Sequence, residues 1–465
     1  MPLTYYLDPF GCVKNQVDAE NMMAFLDRAG WIGSENAETA DLIIINSCGF
    51  IEDAKRESIN AVLGWRKLYP GKKILLAGCL AQRYARELAE SLPEADGLFG
   101  NSDLPGIVRA AAETVNVAPD GRTAGRTAKF RPGKRPLLSM PGSAYVKISE
   151  GCNNRCSFCA IPLIRGGLLS RSISEITEEC KILLDRGIKE LCLIGQDTGS
   201  YGCDLITVRP VPDPDSAVLT SALPRLLEAL SCLEGNFWVR LLYIHPDHFP
   251  LSILDIMEKD QRFLPYFDIP FQHASEKILR LMNRHLNAEA YLDLLAAIRR
   301  RLPDAVIRST FMTGFPGETE EDFTCLLDFQ KKACLDWLGC FTYSREENTP
   351  AWDMKGRVAK KTVAERKHLI EETQVSITER QMDRFIGRSL EVLVEEKFDP
   401  PHANNGSSEE STLYLGRLPC QAPEVDGSTV IVSPSPLVLG AIVPCRVTAR
   451  AGFDLEVVIN SNLSP

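Results

Sequence analysis

The stretch GCNNRCSFCAIP, residues 151–162, decides the fold because it places three cysteines directly after a predicted strand. Cys152, Cys156 and Cys159 follow the pattern C-x3-C-x2-C, and the preceding residues, AYVKIS, form a short apolar run typical of a buried strand. Thiolates favour iron–sulfur clusters, zinc or copper(I). Three thiolates on one tight loop can bind three irons of a [4Fe–4S] cube and leave the fourth iron open. The loop therefore predicts a cluster with room for a small chelating substrate.

Two alternatives stand beside this interpretation. A tetrahedral zinc site needs a further Cys or His pair nearby, but the sequence has no histidine between Pro2 and Tyr243. Chance clustering is the other alternative, since the chain contains 15 cysteines. The fixed loop at a strand end argues against chance.

The composition is that of a globular protein with more than one domain. A chain of 465 residues is expected to form two or three domains. Its net charge of -10 argues against a protein that coats nucleic acid over a broad face. The start, MPLTYYLDPFGC, is not a signal peptide, and no apolar run is long enough to span a membrane. We expect a cytoplasmic protein whose cysteines are thiols and metal ligands rather than disulfides.

Three domains are predicted along the chain. Residues 1–118 alternate strand-like runs (LTYYLD, DLIIIN, KILLAG) with amphipathic helices, which indicates an α/β domain with a parallel sheet. Residues 119–142 are rich in Gly, Pro, Arg and Lys and are predicted to be a linker, with a solvated connector favoured over a nucleic-acid arm. Residues 143–373 contain six strand–helix units, the pattern of a partial β/α barrel, with strands expected at AYVKIS, ELCLIG, WVRLLYI, FDIP, AVIRSTFMTG and LGCFTY.

The last domain, residues 377–460, is predicted to be a small antiparallel β-barrel. A long helical run over 359–387 leads into the short β runs LEVLVEE, STLYLGR, STVIVS and AIVPCRVTAR. From Arg380 to Pro465 there are seven Lys and Arg residues against eleven Asp and Glu residues. This segment is therefore acidic, whereas an RNA-binding barrel is expected to carry a basic groove.

Three cysteines of the first domain share a second pattern. Cys12, Cys48 and Cys79 each follow a predicted strand and each stands beside a glycine. Ligands of open α/β sheets bind at the carboxyl ends of the strands. We therefore expect these thiols to meet at one edge and to hold a second cluster, although buried apolar cysteines are common. The other nine cysteines show no ligand spacing and are interpreted as packing residues.

The three-cysteine loop after the first strand of a partial barrel resembles that of the radical S-adenosylmethionine (SAM) enzymes, and Phe158 fits the same pattern. The resemblance implies that the amino and carboxylate groups of SAM chelate the open iron. The strand ends IGQDTGSYG and STFMTGFPGET then predict Gln196, Asp197 and Glu318 as SAM contacts, although Gly-rich strand ends are more often simple turns. His245 and His273 also lie near strand ends, where a structural hydrogen-bonding role is at least as good an interpretation.

From end to end the chain is similar to the methylthiotransferases. The similarity covers GCVKNQVDAE and NSCGFIEDAK in the first domain, GCNNRCSFCAIPLIRGGLLSR in the barrel, and a last domain that resembles a TRAM domain. GQDTGSYG, YFDIPFQHASEKIL, RSTFMTGFPGETEEDF and GRLPCQAPEVDG resemble the branch that modifies an aspartate of small-ribosomal-subunit protein twelve. Val13 and Asn348 stand where the family has proline and glycine.

By this resemblance, Cys152, Cys156 and Cys159 bind a [4Fe–4S] cluster that cleaves SAM to a deoxyadenosyl radical, which abstracts hydrogen from the aspartate β-carbon. The resemblance gives Cys12, Cys48 and Cys79 an auxiliary [4Fe–4S] cluster whose open iron holds the sulfur to be transferred. A second SAM supplies the methyl group.

The implied partners are the ribosomal protein and an electron donor such as flavodoxin or ferredoxin, with nucleic-acid contact secondary and no membrane. The acidic last domain agrees with a basic protein substrate. Methylthiolation of a tRNA adenosine and a non-catalytic iron–sulfur or RNA-binding scaffold are the alternative functions.

Overall fold

The computed structural model describes residues 2–117, 132–205, 221–398 and 412–459. Their contacts divide the chain into two compact units. The first unit consists of Met1–Leu138, Ser149–Leu169 and Ser344–Trp352, and the second of Ser139–Ile148, Ser170–Tyr343 and Asp353–Pro465. The three-cysteine loop thus belongs to the same unit as the N-terminal domain. Residues 119–131 of the predicted linker lie outside the described residues.

The first unit contains a parallel sheet of five strands, which confirms the predicted α/β class. Its strand order is β2-β1-β3-β4-β5. The strands are β1 (Thr4–Pro9), β2 (Ile32–Gly33), β3 (Leu42–Ser47), β4 (Lys73–Gly78) and β5 (Gly97–Phe99). The helices are α1 (Val13–Arg28), α2 (Glu52–Leu68), α3 (Cys79–Arg83), α4 (Ala85–Ser91) and α5 (Ile107–Thr114).

Strand β3 shows why this sequence forms a sheet covered on both faces. All six of its residues are buried, as expected for a β-branched run between two layers of helices. Leu42 and Ile44 pack in one core with residues of α1 and α5. Ile43 and Ile45 pack in a second core with residues of α2, α3 and α4. Because side chains alternate along a strand, one apolar run builds both cores.

The described chain between residues 132 and 383 contains the strands and helices that follow, and its two shortest strands, at 149–150 and 169–170, pair in a small separate sheet. The strands are β6 (Ser143–Lys147), β7 (Ser149–Glu150), β8 (Leu169–Ser170), β9 (Glu190–Ile194), β10 (Trp238–Leu241), β11 (Phe263–Asp268), β12 (Val306–Thr313) and β13 (Trp337–Thr342). The helices are α6 (Ile161–Arg165), α7 (Ile173–Asp185), α8 (Leu223–Ser231), α9 (Ile253–Met257), α10 (Glu276–Leu281), α11 (Ala288–Arg301), α12 (Glu320–Ala333) and α13 (Lys360–Asp383). Short 3-10 turns span Leu104–Gly106, Pro132–Lys134, Thr198–Ser200, Pro246–His248 and Pro350–Asp353.

The second unit contains a six-stranded parallel sheet in the order β13-β12-β11-β10-β9-β6, which is the predicted partial β/α barrel. One predicted strand is displaced: the run FDIP was expected at 267–270, whereas β11 spans Phe263–Asp268. Local sequence signals begin the covering helices. Ser172 and Glu175 form a capping box at the start of α7, and Thr319 and Asp322 form one at the start of α12.

The second unit also contains a closed barrel of five strands. The strands are β14 (Ser389–Phe398), β15 (Thr412–Arg417), β16 (Thr429–Ser433), β17 (Ile442–Ala451) and β18 (Asp454–Ile459). The sequence predicted four of them and missed β18. The pairing of β16 with β18 is parallel, whereas the other four pairings are antiparallel as predicted.

A buried ionic network joins this closed barrel to the six-stranded sheet. Arg417 of β15 donates to both oxygens of Glu190 on β9 and to Glu395 of β14. Arg240 of β10 donates to Glu190 over 2.8 Å, and Ser143 of β6 donates to Glu190 over the same distance. Burying charges is costly unless they are paired and hydrogen-bonded, and here each charged group has an opposite partner.

No helix in the described ranges is long and apolar enough to cross a membrane.

Candidate functional site

The three cysteines of the N-terminal domain lie at the carboxyl edge of neighbouring parallel strands. Cys12 follows β1 and caps α1, Cys48 follows β3, and Cys79 follows β4 as the first residue of α3. Strands β1, β3 and β4 are adjacent in the sheet. The strand–Gly–Cys pattern therefore brings together residues that are far apart in sequence.

The neighbouring glycines make this close approach possible. A Cβ atom on Gly11 would lie 2.9 Å from Cβ of Cys48 and 3.3 Å from its Sγ. A Cβ atom on Gly49 would lie 2.8 Å from the carbonyl oxygen of Cys79. The distances of 2.9 and 2.8 Å are shorter than real Cβ contacts allow. Glycine at these positions therefore lets the loops that carry Cys12, Cys48 and Cys79 pack against one another.

Buried polar groups hold these loops in place. The Asn15 side-chain amide donates to the carbonyl oxygens of Phe10, Asn46 and Ser47, at 2.7, 3.3 and 3.2 Å respectively. The backbone N–H of Cys48 donates to Oγ of Ser58 on α2 over 3.0 Å. These contacts satisfy backbone groups at the ends of β1 and β3, so the positions of Cys12 and Cys48 are set by the fold.

Burial controls the ionisation of the thiols. It raises the pKa of Cys48 and raises the pKa of Cys79 to about 12, while the guanidinium of Arg165 opposes both shifts. Cys12 and Cys48 are themselves among the groups that act on the pKa of Cys79, which places the three sulfurs near one another. A metal centre that replaces the thiol proton would offset the effect of burial at Cys48 and Cys79.

Two donors point at the sulfur of Cys79. Arg165 Nη2 lies 3.1 Å from Cys79 Sγ, and Asn101 Nδ2 lies 3.2 Å from it. The Cys79 thiol in turn lies 3.7 Å from Oδ1 of Asn15. Hydrogen-bond donors around a cysteine sulfur are what stabilises a ligating thiolate.

The three-cysteine loop lies in the same unit and contacts the sheet edge. Cys159 donates its backbone N–H to the carbonyl of Cys156 over 3.0 Å, which forms a tight turn. Backbone N–H groups of Asn154 and Ile161 lie 3.5 Å from the sulfurs of Cys152 and Cys159. The end of this loop packs on the first domain, since Ala160 and Ile164 form a small apolar cluster with Cys79. All six predicted cysteines are thus in one compact unit.

The residue types of both cysteine sets are suited to iron–sulfur clusters. Within the described part of the chain, no three or more His, Cys, Asp or Glu side chains are arranged to hold one metal ion. A four-iron cube needs its thiolates spread around a body larger than one ion, and thiolates are its usual ligands. Each set contains three cysteine sulfurs, and hydrogen-bond donors lie near sulfurs of both sets.

The three predicted SAM contacts differ in how their side chains are engaged. Asp197 is buried and accepts from the backbone of Gly199 and His245, each at 3.0 Å, and from Ser200 Oγ at 2.6 Å. Gln196, by contrast, is only half-buried and makes no side-chain hydrogen bond to any residue that the structure describes.

Glu318 is also buried, within the turn that follows β12. It accepts from the backbone of Gly314 and Phe315 at 2.8 and 3.2 Å and pairs with Arg366 at 2.6 Å. Asp197 and Glu318 thus shape strand-end turns with their carboxylates. Direct contact of any of the three with SAM stays a prediction.

The two histidines take structural positions. His273 Nδ1 accepts from the backbone of Ala274 and Ser275 at 3.0 and 2.9 Å, and burial lowers its pKa to about 3. His245 Nδ1 accepts from the backbone N–H of Asp247 at 3.3 Å, and burial lowers its pKa as well. Ring nitrogens that accept hydrogen bonds from the backbone agree with the structural role that the sequence analysis gave as one interpretation of these histidines.

Sequence reasoning missed several residues that support the site. Arg165, Asn101 and Asn15 surround Cys79, but nothing in their spacing relates them to it. Glu346 is another: its carboxylate pairs with Arg83 of α3 at 2.6 Å and with Lys55 of α2 at 3.2 Å. The only sequence signal was that Arg165 and Asn15 fall inside the stretches that resemble the methylthiotransferases.

Comparisons with known families divide the chain into three parts. The uncharacterized protein family UPF0004 matches residues 4–100, the radical SAM superfamily matches residues 146–329, and the TRAM domain matches residues 386–459. Among solved structures, the radical S-adenosylmethionine methyltransferase TsrM from Kitasatospora setae is similar with a TM-score of 0.51 and 14% identity, over 76% of this chain and 77% of that chain. This likeness shows the fold.

Full-length relatives identify the family. Ribosomal protein uS12 methylthiotransferase RimO of Treponema denticola is 46% identical to this chain, over 97% of this chain and 100% of the relative. The protein of the same name from Thermotoga maritima is 38% identical, over 97% of this chain and 96% of the relative. Such identity across the whole length, with six cysteines in two sets of three, shows that the chain belongs to the RimO family of radical SAM methylthiotransferases.

Proposed function

We propose that this protein adds a methylthio group to the β-carbon of an aspartate in ribosomal protein uS12, with SAM as radical source and methyl donor. The observation that carries the proposal is the placement of two sets of three thiols in one compact unit, joined through Arg165. The full-length relatives are ribosomal protein uS12 methylthiotransferases, which supports uS12 as the substrate.

Two [4Fe–4S] clusters are the proposed metal cofactors. Cys152, Cys156 and Cys159 would hold one cluster and leave one iron for the amino and carboxylate groups of SAM. Cys12, Cys48 and Cys79 would hold the other cluster. When bound, the first centre supplies the electron that cleaves SAM and the second supplies the site for the sulfur.

The protein's own residues position these centres and shield them from water. Cys79 is buried and Cys48 is partly buried, whereas Cys12 is exposed. This gradient of exposure favours access of the substrate from the Cys12 side of the auxiliary set. Gln196 is the strongest candidate for a direct SAM contact, while Asp197 and Glu318 hold the turns on which SAM would lie.

The acidic C-terminal domain supports a basic protein as the substrate. Ribosomal proteins are generally basic, and complementary charge speeds encounter and selects partners. The seven basic against eleven acidic residues of this segment disfavour a tRNA substrate, whose phosphates require a basic surface. A flavodoxin or ferredoxin would supply the electrons, and we place the reaction in the cytoplasm.

Anaerobic reconstitution of the full chain with iron and sulfide tests the proposal. We expect about eight irons per chain, as two four-iron clusters imply, and methylthiolation of a uS12 peptide detected by mass spectrometry. Cys156→Ala should abolish reductive cleavage of SAM. Cys48→Ala should keep that cleavage and lose sulfur transfer, and Cys232→Ala, which changes an exposed cysteine, should do neither.

The rival substrate is tested in cells. Mass spectrometry of uS12 peptides and tRNA nucleosides from a deletion strain should show the aspartate without its methylthio group and the tRNA unchanged. A lost tRNA modification with an intact uS12 would refute the proposal. A chain that binds iron but never cleaves SAM would indicate a non-catalytic scaffold.

A further inference from the structure

Arg165 is the last residue of α6, directly after the three-cysteine loop, and its guanidinium is buried against the other cysteine set. Its side chain is only 3% exposed. Arg165 Nη1 lies 2.9 Å from Oδ2 of Asp18 and 2.7 Å from Oε1 of Glu150. Its other terminal nitrogen, Nη2, lies 3.1 Å from Sγ of Cys79. One planar group therefore contacts two carboxylates and a thiol.

The two carboxylates explain why the guanidinium stays in this place. A buried cation is costly unless it is paired, and a guanidinium presents its donors in a rigid fork. Asp18 belongs to α1 and Glu150 to β7, so the anchors come from both the sheet domain and the cysteine loop. With Nη1 held by these anchors, the planar geometry directs Nη2 at the sulfur.

Cys79 is thereby distinguished from Cys12 and Cys48. Its sulfur has the charged donor Arg165 and the neutral donor Asn101, at 3.1 and 3.2 Å. When the sulfur is a thiolate, it no longer donates to Asn15, but both hydrogen bonds toward it remain. Donors to a ligating sulfur, above all charged ones, stabilise added negative charge and so raise the reduction potential of a cluster.

From this geometry we infer that Arg165 is a positioning residue for the auxiliary cluster, which sets that cluster's reduction potential through Cys79. Because Arg165 also ends the loop of Cys152, Cys156 and Cys159, it mechanically links the two cysteine sets. The inference rests on the proposed function, since it requires a cluster at Cys79.

The test isolates the auxiliary cluster. In the full chain with Cys152, Cys156 and Cys159 changed to Ala, anaerobic reconstitution should give about four irons per chain. In that background, an EPR-monitored redox titration of Arg165→Met should show a midpoint potential more negative than that of the parent. Arg165→Lys keeps a cation without the fork and should recover part of the shift.

Matched variants complete the design. Arg56→Met changes an exposed arginine of the same unit that pairs with Asp53, and it should leave the potential unchanged. Asn101→Ala removes the neutral donor and should shift the potential in the same direction by less. If Arg165→Met binds too little iron to titrate, the midpoint potentials of Arg165→Lys and Asn101→Ala are compared with that of the parent, and this comparison tests the inference.

The outcomes separate this inference from the proposed function. An unchanged potential in Arg165→Met with full iron content would overturn the inference, as would unchanged potentials in both Arg165→Lys and Asn101→Ala. If the background chain binds no iron at all, the proposed auxiliary cluster itself is wrong. The inference is supported if the midpoint potential of Arg165→Met is more negative than that of the parent, Arg165→Lys recovers part of the difference, and Arg56→Met has the potential of the parent.

Discussion

Replacing Arg417 with Met should destabilise the second unit strongly, because it removes the cation shared by two buried carboxylates. Arg417 donates to Glu190 and Glu395, and also to Ser143 Oγ at 2.9 Å. The variant leaves Glu395 without a cation and Glu190 with Arg240 alone. Breaking a buried ionic network by removing one partner costs about 3–5 kcal/mol.

The pKa of Glu190 shows how strongly the two arginines together stabilise its charged form. Burial raises this pKa, but Arg417 and Arg240 outweigh burial and lower it from 4.5 to about 2. A difference of that size corresponds to about 3 kcal/mol of stabilisation. Because the folded pKa is depressed, this stability is present above pH 4.5 and is lost as pH falls toward 2.

Hydrogen exchange is the appropriate assay, since a chain of two units need not unfold in one step. The opening free energies of amides in β9, β14 and β15 should fall by about 3–5 kcal/mol in Arg417→Met. The acid sensitivity below pH 4.5 should also weaken. As control, Lys361→Ala removes an exposed pair with Glu365 and should change stability by less than about 0.5 kcal/mol. A loss below about 1 kcal/mol in Arg417→Met would refute the reasoning.

Three further predictions concern other parts of the chain. Gly49→Ala should lower the amount of iron bound by Cys12, Cys48 and Cys79, because the added Cβ would lie 2.8 Å from the backbone of Cys79. The control Gly64→Ala places its Cβ in open space and should bind iron normally. Equal iron contents in the two variants would contradict this prediction. Glu346→Gln leaves the buried Arg83 without its carboxylate, whereas Lys55 keeps its pair with Glu52, and the change should cost about 3 kcal/mol. Faster hydrogen exchange in α2 and α3 would measure this loss, and unchanged exchange would show that the Glu346 pairs are dispensable. Burial raises the pKa of Asp426 to about 6, so the stability that its protonated form contributes is present below pH 3.8 and is lost as pH rises through 6. The free energy of unfolding of Asp426→Asn, measured by denaturation, should not show this decline with pH. The same decline in Asp426→Asn would mean that another group causes it.

Local patterns predicted most of the strands, because each needs only a short apolar run. The run DLIIIN became β3, and the six strands predicted for the partial barrel form the six-stranded sheet. β18 directly follows β17, but it closes the barrel by pairing in parallel with β16, which lies before β17 in the sequence. Closing a barrel is a long-range event that no window of a few residues can reveal.

The two departures from the family pattern have local explanations. Val13 is the first residue of α1, a position that proline favours because its missing N–H would be unpaired there anyway. Asn348 has φ of +62°, a left-handed conformation that glycine adopts freely and asparagine tolerates. Both substitutions keep the backbone that the family residue would favour.

The sequence by itself determined which residues are suited to bind iron. The spacing of Cys152, Cys156 and Cys159 places them on one loop, and the strand–Gly–Cys pattern places Cys12, Cys48 and Cys79 at one sheet edge. Such information is local or follows from the rules of parallel sheets.

Only the tertiary structure decided which side chains contact each sulfur and how deeply each sulfur is buried. It brought Arg165 to Cys79 across 86 positions of sequence, and it engaged the carboxylates of Asp197 and Glu318 in turns of the protein itself. The physical reason is that hydrogen bonds and buried charges act through space. A side chain's partners are therefore set by packing, which a pattern along the chain does not contain.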